Sequence, residues 1–318
     1  MDSLTDSQVL DQIKRFANPP SWYVYKPFVH LAGLIVCVSM AVWVSLPWKP
    51  VWIIGADTQF IGLYALLHGA SHFHLSKNHK VNDALGTFLA AVLGTSFHAY
   101  RVCHLRHHVL LRQKDDPQDV VNTFPKSRVV TAALITIASV IGAAIFIWIR
   151  VPFLGAMHGS ARRVAAELLL PVTLYAVVIW LLITTLPASG LIVLAATLAS
   201  AIVWGSLIDI VYHQGLPTTG ETECSRSLDC DRFGFWVLNG ENRHAEHHAY
   251  PNVPLPNWRY LTPTVKPIMQ QKGAVYERGY VTALMKCLFV CPLCVRCFFH
   301  RYHEKLDSNP RTQAAVSA

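Results

Sequence analysis

Charge is scarce in this chain. Asp, Glu, Lys and Arg make up 14% of the 318 residues, and hydrophobic residues make up 53%. Soluble domains carry about 25% charged residues. The deficit excludes a series of soluble domains and leaves an integral membrane protein. Acids are scarcer than bases: 19 Asp+Glu against 27 Lys+Arg give a formal charge of +8. This excess does not make a nucleic-acid surface, because no basic cluster is interleaved with aromatics. The positive residues flank apolar runs instead, which suits the positive-inside rule and anionic lipid headgroups. Eight cysteines are too few for a disulfide scaffold at this length. Residues 1–16 carry acids and no apolar core, so no cleavable signal peptide is expected and the first apolar run is expected to stay in the membrane.

What the chain has instead is apolar runs. They cover residues 28–46, 51–67, 85–97, 129–149, 168–186 and 191–211, with a last patch at 280–299 interrupted by Lys286, Pro292 and Arg296. A helix needs about 20 apolar residues to cross a bilayer. The first two runs therefore read as a hairpin, and 85–97 reads as re-entrant or interfacial. The run 129–149 has Lys126 and Arg128 before it and Arg150, Arg162 and Arg163 after it. Basic flanks at both ends belong on one side of the membrane, so this run is expected to be re-entrant or interfacial, broken near Gly142. Four crossings follow, at 28–46, 51–67, 168–186 and 191–211. The expected fold is an all-α integral membrane protein of about four transmembrane helices, with re-entrant or interfacial helices and a helical cap. Its divisions are a lead-in at 1–27, a membrane domain at 28–261 and a Cys-rich tail at 262–318.

Three histidine clusters carry the chemistry: His68-Gly-Ala-Ser-His72, His104-Leu-Arg-His107-His108 and His244-Ala-Glu-His247-His248. On a helix, i, i+3 and i+4 share a face, so HxxxH is expected to aim two rings one way and HxxHH three. Imidazole suits iron, copper, zinc and nickel, while magnesium and calcium prefer oxygen. Eight rings exceed what one ion uses, so two metal ions are the economical reading. His213, at the end of the fourth span, is a ninth ligand candidate. Asp209, one turn earlier, is a candidate to bind metal directly, through water, or by orienting a ring. His74, His79 and His98 read as spectators or hydrogen-bond partners, and His158, His300 and His303 as surface residues. Cys287, Cys291, Cys294 and Cys297 read as thiols of a membrane-associated tail. The run Asp115-Asp116-Pro117-Gln118-Asp119 reads as a capping loop behind the second cluster. A rival from another class, a metal transporter, would place its ligands at mid-membrane on broken helices; these clusters lie at helix ends and in polar segments.

The order HxxxH, HxxHH, HxxHH resembles the membrane fatty acid desaturase/hydroxylase superfamily of di-iron enzymes. So do the Asp115-Asp116-Pro117 that follows the second cluster and the Asn239-Gly-Glu-Asn242 and Tyr250-Pro-Asn-Val-Pro254 that flank the third. The resemblance covers residues 68 to 261. It implies a cytoplasm-facing centre of two iron ions, O2 as cosubstrate and an external electron donor. It implies metal-ligand roles for His68, His72, His104, His107, His108, His244, His247 and His248. His213 occupies the place of a further histidine in the acyl-CoA desaturase branch, but Asp209 stands where that branch has Asn. No His-Pro-Gly-Gly haem motif is present, so electrons are expected from a separate ferredoxin, rubredoxin or cytochrome. The implied reaction is desaturation of a fatty-acyl chain; hydroxylation or another oxidation of a lipid, carotenoid or similar apolar molecule is the alternative. The substrate is expected to be long and apolar and to arrive from the membrane lipids. The lack of a fused carrier points to a bacterial inner membrane.

Overall fold

The computed structural model describes residues 6–113, 115–119, 128–214, 216–217 and 222–287. A short amphipathic helix, α1 (Asp6–Arg15), precedes a helical hairpin of α2 (Lys26–Trp43) and α3 (Lys49–Ser71). Pro27 and Pro50 sit in the first turns of the two helices, where a missing N–H costs nothing. Two shorter helices follow, α4 (His79–Val92) and α5 (Phe97–Leu110). The side chain of Asn78 accepts from the backbone N–H of Lys80 and Val81 at the start of α4. Ser96 accepts from Ala99 at the start of α5. Each has 14 residues and so reaches about 21 Å, short of the roughly 30 Å hydrocarbon core. The run 85–97, expected not to cross, falls mostly in α4, which is not among the helices long and apolar enough to span a bilayer.

The run expected to break near Gly142 breaks later. Helix α6 (Arg128–Ile145) passes through Gly142 uninterrupted, and a π-helical turn at Phe146–Arg150 leads into α7 (Val151–His158). The cause is Pro152, which cannot donate to the preceding turn and clashes with it. Glycine only frees the backbone, whereas proline forces the break. The backbone N–H of Ala143 donates to Ser206 Oγ at 2.9 Å. Past the π turn, Arg150 Nε donates to the Pro117 carbonyl at 2.6 Å, and Cys103 on α5 donates weakly to Val151. Gly155 on α7 lies where a Cβ would stand 2.4 Å from that of Ala99, so only glycine lets α7 lie this close to α5.

Helices α8 (Ala161–Thr185) and α9 (Ala188–His213) complete the membrane portion. Five helical segments are long and apolar enough to cross a membrane, one more than expected: 21–43, 46–71, 133–158, 161–185 and 188–213. Only 6% of the apolar window of 161–185 is buried by protein, and Leu169, Val172, Val177 and Trp180 face outward. A helix apolar on all sides and left uncovered needs lipid around it.

The remainder forms the cap: β1 (Arg226–Leu228), α10 (Arg232–Val237), α11 (His244–Ala249), α12 (Trp258–Gln271), β2 (Val275–Glu277) and α13 (Gly279–Met285). The two strands pair in parallel, Ser227 opposite Tyr276. At three residues each they are too short to show an alternating pattern, and the all-α expectation omits them. The cap has its own apolar core around Val253, Leu255, Trp258, Leu261 and Val265. A second core joins α3, α4 and α5 through Leu63, Leu67, Leu89, Phe97 and Tyr100.

Candidate metal centre

The three histidine clusters meet between the helix ends and the cap. They come from the end of α3, the middle of α5 and the whole of α11, and His213 joins them from the last residue of α9. The nine rings form two groups. His68, His72, His104, His108 and His247 make one; His107, His213, His244 and His248 make the other. Within each group the ligand atoms lie within 4.8 Å of one another.

This division corrects the expectation that an HxxHH cluster aims three rings one way. In both clusters the i, i+4 pair goes to one group and the middle ring to the other: His104 and His108 against His107, and His244 and His248 against His247. Adjacent residues on a helix are about 100° apart, so neighbours such as His107 and His108 diverge. The two helices α5 and α11 each serve both groups, in opposite proportion.

The spacing of the nitrogens is that of a shared ion. Nε2–Nε2 separations are 2.8 Å for His72–His104, 3.0 Å for His104–His108, 3.1 Å for His108–His247 and 2.9 Å for His68–His247. In the other group they are 2.9 Å for His213–His244 and 3.1 Å for His244–His248. Two nitrogens bound at right angles to one ion at about 2.1 Å stand about 3 Å apart. Neutral Nε2 atoms carry at most one proton each, so chains of such contacts cannot all be hydrogen bonds.

Four rings have their second nitrogen occupied, which aims the first inward; one is His104, whose Nδ1 meets Gln118 Nε2 at 3.4 Å. His68 Nδ1 donates to Glu241 at 2.8 Å, His107 Nδ1 to Asp116 at 2.8 Å, and His213 Nδ1 to the Cys224 carbonyl at 3.0 Å. His107 Nε2 is buried and has no hydrogen-bond partner. A buried orphan nitrogen beside three converging rings fits a metal ligand. Burial holds His72, His104, His244, His247 and His248 well below the usual imidazole range, reinforced by repulsion from neighbouring rings. Burial and His107 bring His108 down to about 2. Neutral rings are the form that binds metal. Burial works against ionisation of Asp116, but His107 and the backbone N–H groups of Gln118 and Arg112 still hold its carboxyl below the ordinary range.

Asp116 and Glu241 were not recognised as ring-orienting residues from sequence. Asp116 was visible only as a loop acid, yet Arg112 and Gln118 donate their N–H groups to its carboxylate while it holds His107. Glu241 follows a left-handed turn at Asn239 and Gly240, with φ of 54° and 89°. A Cβ on Gly240 would stand 2.2 Å from the Leu255 carbonyl. The polar Asn-Gly-Glu-Asn fragment before the third cluster was the available signal. Ser227 fixes that cluster: its Oγ accepts from the Ala245 N–H at 3.0 Å and donates to the Glu246 carboxylate.

Neither group includes Asp209. It lines two cavities instead. One is narrow and apolar, 40 Å³ between Phe60, Tyr64, Trp148 and Ile202; the other, 180 Å³, is bounded by His107, Asp116, Gly142 and His213. His74 donates to the Pro251 carbonyl, His98 accepts from the Ser160 N–H, and His79 stacks on Phe73. His158 is exposed. Cys287 is buried and accepts from Arg226; Cys291, Cys294, Cys297, His300 and His303 lie outside the described residues.

Apolar helices carrying a histidine-rich centre at their ends define a membrane protein built around a site that could hold metal. The family model described as fatty acid desaturase matches residues 41–280, and the chain belongs to that family. It is therefore a membrane oxidoreductase of the desaturase/hydroxylase type, with a lipid substrate. The family is known for di-iron use. No curated protein matches the chain.

Proposed function

We propose that the chain is an O2-dependent di-iron desaturase that introduces a double bond into a fatty-acyl chain. The observation that carries this reading is the convergence of nine imidazoles into two groups with ion-sharing separations. The ligands proposed are His68, His72, His104, His108 and His247 for one iron, and His107, His213, His244 and His248 for the other. Five rings exceed the four ligands of tetrahedral zinc, which favours iron. Two irons so held would supply, with O2 and electrons from a separate ferredoxin, rubredoxin or cytochrome, the power to oxidise an unactivated C–H bond.

The protein's own part is placement. Asp116 and Glu241 fix the tautomers of His107 and His68, so that Nε2 faces inward. Tyr64, Phe60, Trp148 and Ile202 form a dry wall against which an alkyl chain fits. Asp209 stands where that wall meets the metal centre and acts on it through water or a neighbouring ring.

The proposed topology has four crossings, made by α2, α3, α8 and α9, with all clusters cytoplasmic. The segment α6–α7 enters and returns. Its far part bonds back to the second cluster's loop through Arg150, and Ser160, after it, bonds to His98 on α5. The test of the reaction is to express the chain and its His107→Ala form in a lipid-rich host and compare extracts by mass spectrometry. A product lighter by two hydrogens, made only by the intact chain, is expected. A product heavier by one oxygen would replace the reading by hydroxylation.

A further inference from the structure

The Asn239–Gly240 turn that delivers Glu241 to His68 is gripped from the first span. Tyr23, Lys26 and His30 stand three and four residues apart, so they share one face where the chain enters α2. All three are buried, and His30 is 0% exposed. The Tyr23 hydroxyl donates to the Asn239 carbonyl at 3.2 Å, and the Lys26 ammonium to the Trp236 carbonyl at 3.1 Å. The His30 ring lies 5.0 Å from the Trp236 ring. It also covers Gly62 of α3, where a Cβ would meet it at 2.3 Å. Asn239 Nδ2 stands 3.3 Å from His30 Nε2, and His30 Nδ1 is 2.9 Å from Gln59 Oε1. The proposed reaction gives this buried imidazole no part.

Each hydrogen bond here fixes the next. A carbonyl only accepts, so the Gly62 carbonyl, 2.9 Å from Asn239, faces the amide nitrogen of that side chain. The Val237 carbonyl, at 3.2 Å, imposes the same orientation. The nitrogen so placed has N–H groups to give, and His30 Nε2 accepts. A neutral imidazole that accepts at Nε2 carries its proton on Nδ1. Gln59 meets that proton with Oε1, its own amide nitrogen donating to the Thr58 hydroxyl. A proton on His30 Nε2 would point at the Asn239 amide N–H groups. Asn239 has a φ of 54°, a left-handed backbone that asparagine adopts when its side chain is hydrogen-bonded. Two residues on, the buried Glu241 accepts from His68 Nδ1 at 2.8 Å.

We propose that His30 is a positioning residue for the metal centre: through Asn239 it holds the turn that aims Glu241 at His68. The proposal rests on the metal-centre reading above and adds a residue of the first span to it. His68 belongs to the group with His72, His104, His108 and His247. The other group takes its support elsewhere, from Asp116 and the Cys224 carbonyl. Loss of His30 therefore reaches one metal position of the two. The role passes through hydrogen bonds and not through the bulk of the ring. Bulk is supplied by any side chain of similar volume, whereas the hydrogen bonds need an acceptor facing Asn239 and a donor facing Gln59. Glutamine offers both on one amide; leucine offers neither.

The test follows metal retention by the full-length, iron-loaded protein in maltoside micelles during dialysis against a chelator, with no substrate present. Mössbauer spectra of the same samples separate the two positions. His30→Leu is expected to release one of the two ions about tenfold more readily, the low end of the loss when an outer partner of a ligand is removed, and to alter one iron signal. His30→Gln is expected to restore retention. Gln59→Leu, which frees the His30 proton to move to Nε2, is expected to act in the same direction by less. His30→Leu added to Glu241→Gln is expected to cost no more than Glu241→Gln alone, because both act on one ring; added to Asp116→Asn it costs its full amount. Unchanged retention in His30→Leu overturns the proposal. So does a loss that His30→Gln fails to restore, or one that adds fully to Glu241→Gln. Where His30→Leu does not accumulate in the membrane, Gln59→Leu decides, and full retention in it overturns the proposal. A protein that responds as expected but oxidises no lipid fails the function reading alone; one that oxidises lipid and ignores His30 fails this proposal alone.

Discussion

At the scale of single residues, the centre depends on groups that touch no metal. Asp116→Asn is expected to lower iron affinity about 10- to 100-fold, because the amide no longer fixes a proton on His107 Nδ1. Glu241→Gln acts likewise on His68. Metal analysis after dialysis against a chelator checks both; full retention contradicts the assigned roles. Acid acts through the rings themselves. Burial holds the folded values of His72, His104, His244, His247 and His248 far below those of the unfolded chain, which lie near about 6.5. Below that pH the unfolded chain binds protons that the folded chain refuses, so the metal-free protein loses stability as the pH falls from 6.5. Thermal unfolding of the metal-free protein at pH 8, 6.5 and 5 is expected to show a flat region and then a steady decline. An unchanged midpoint at pH 5 contradicts the burial of neutral rings. The histidines were legible in the sequence because HxxHH repeats. Their partition was not, because it depends on which way two helices are turned about their axes, and the spacing is the same for either rotation. Asp116 and Glu241 were hidden because a carboxylate nine residues from its ring, or 173 from it, leaves no local pattern.

At the scale of elements, the second cluster is held by the approach of α7 to α5. Gly155 permits it, since a Cβ there would meet the Cβ of Ala99 at 2.4 Å. Gly155→Ala is expected to cost about 1–3 kcal/mol by overpacking and to loosen α5, with lower iron content as the readout. A variant that keeps its full metal complement and its unfolding midpoint would show that α7 yields without moving α5. The hairpin α2–α3 and the pair α8–α9 were legible because each is a long apolar run ended by a turn. The break in the third run was misplaced, at Gly142 and not beside Pro152, because glycine and proline are both breakers. Only proline removes a donor and adds a clash. The two short strands were invisible at three residues each, although β1 carries the Ser227 that anchors the start of α11.

At the scale of the whole molecule, parity links the fold to the centre. All clusters face one side only if α6–α7 returns to the side it left. The chain has five segments able to cross by length and composition, so composition alone does not choose. Hydrogen bonds from Arg150 to Pro117 and from Ser160 to His98 favour the return. A fluorescent-protein fusion after residue 159 is expected to be fluorescent in the cytoplasm, and an alkaline phosphatase fusion after residue 187 to be active outside it. Phosphatase activity at 159 contradicts four crossings. The membrane class was legible from scarce charge, and the family from the clusters and their flanks. The clasp on Asn239 was not, because Tyr23 and His30 stand 216 and 209 residues from it and only the folded cap brings them together. The central claim, that nine imidazoles hold two irons, is tested most directly by counting the metal. The chain purified from iron-supplied cells is expected to contain two irons per chain, with a Mössbauer spectrum of a coupled pair, and to lose that coupling in the His107→Ala form. One metal ion per chain, or zinc in place of iron under those conditions, contradicts the account.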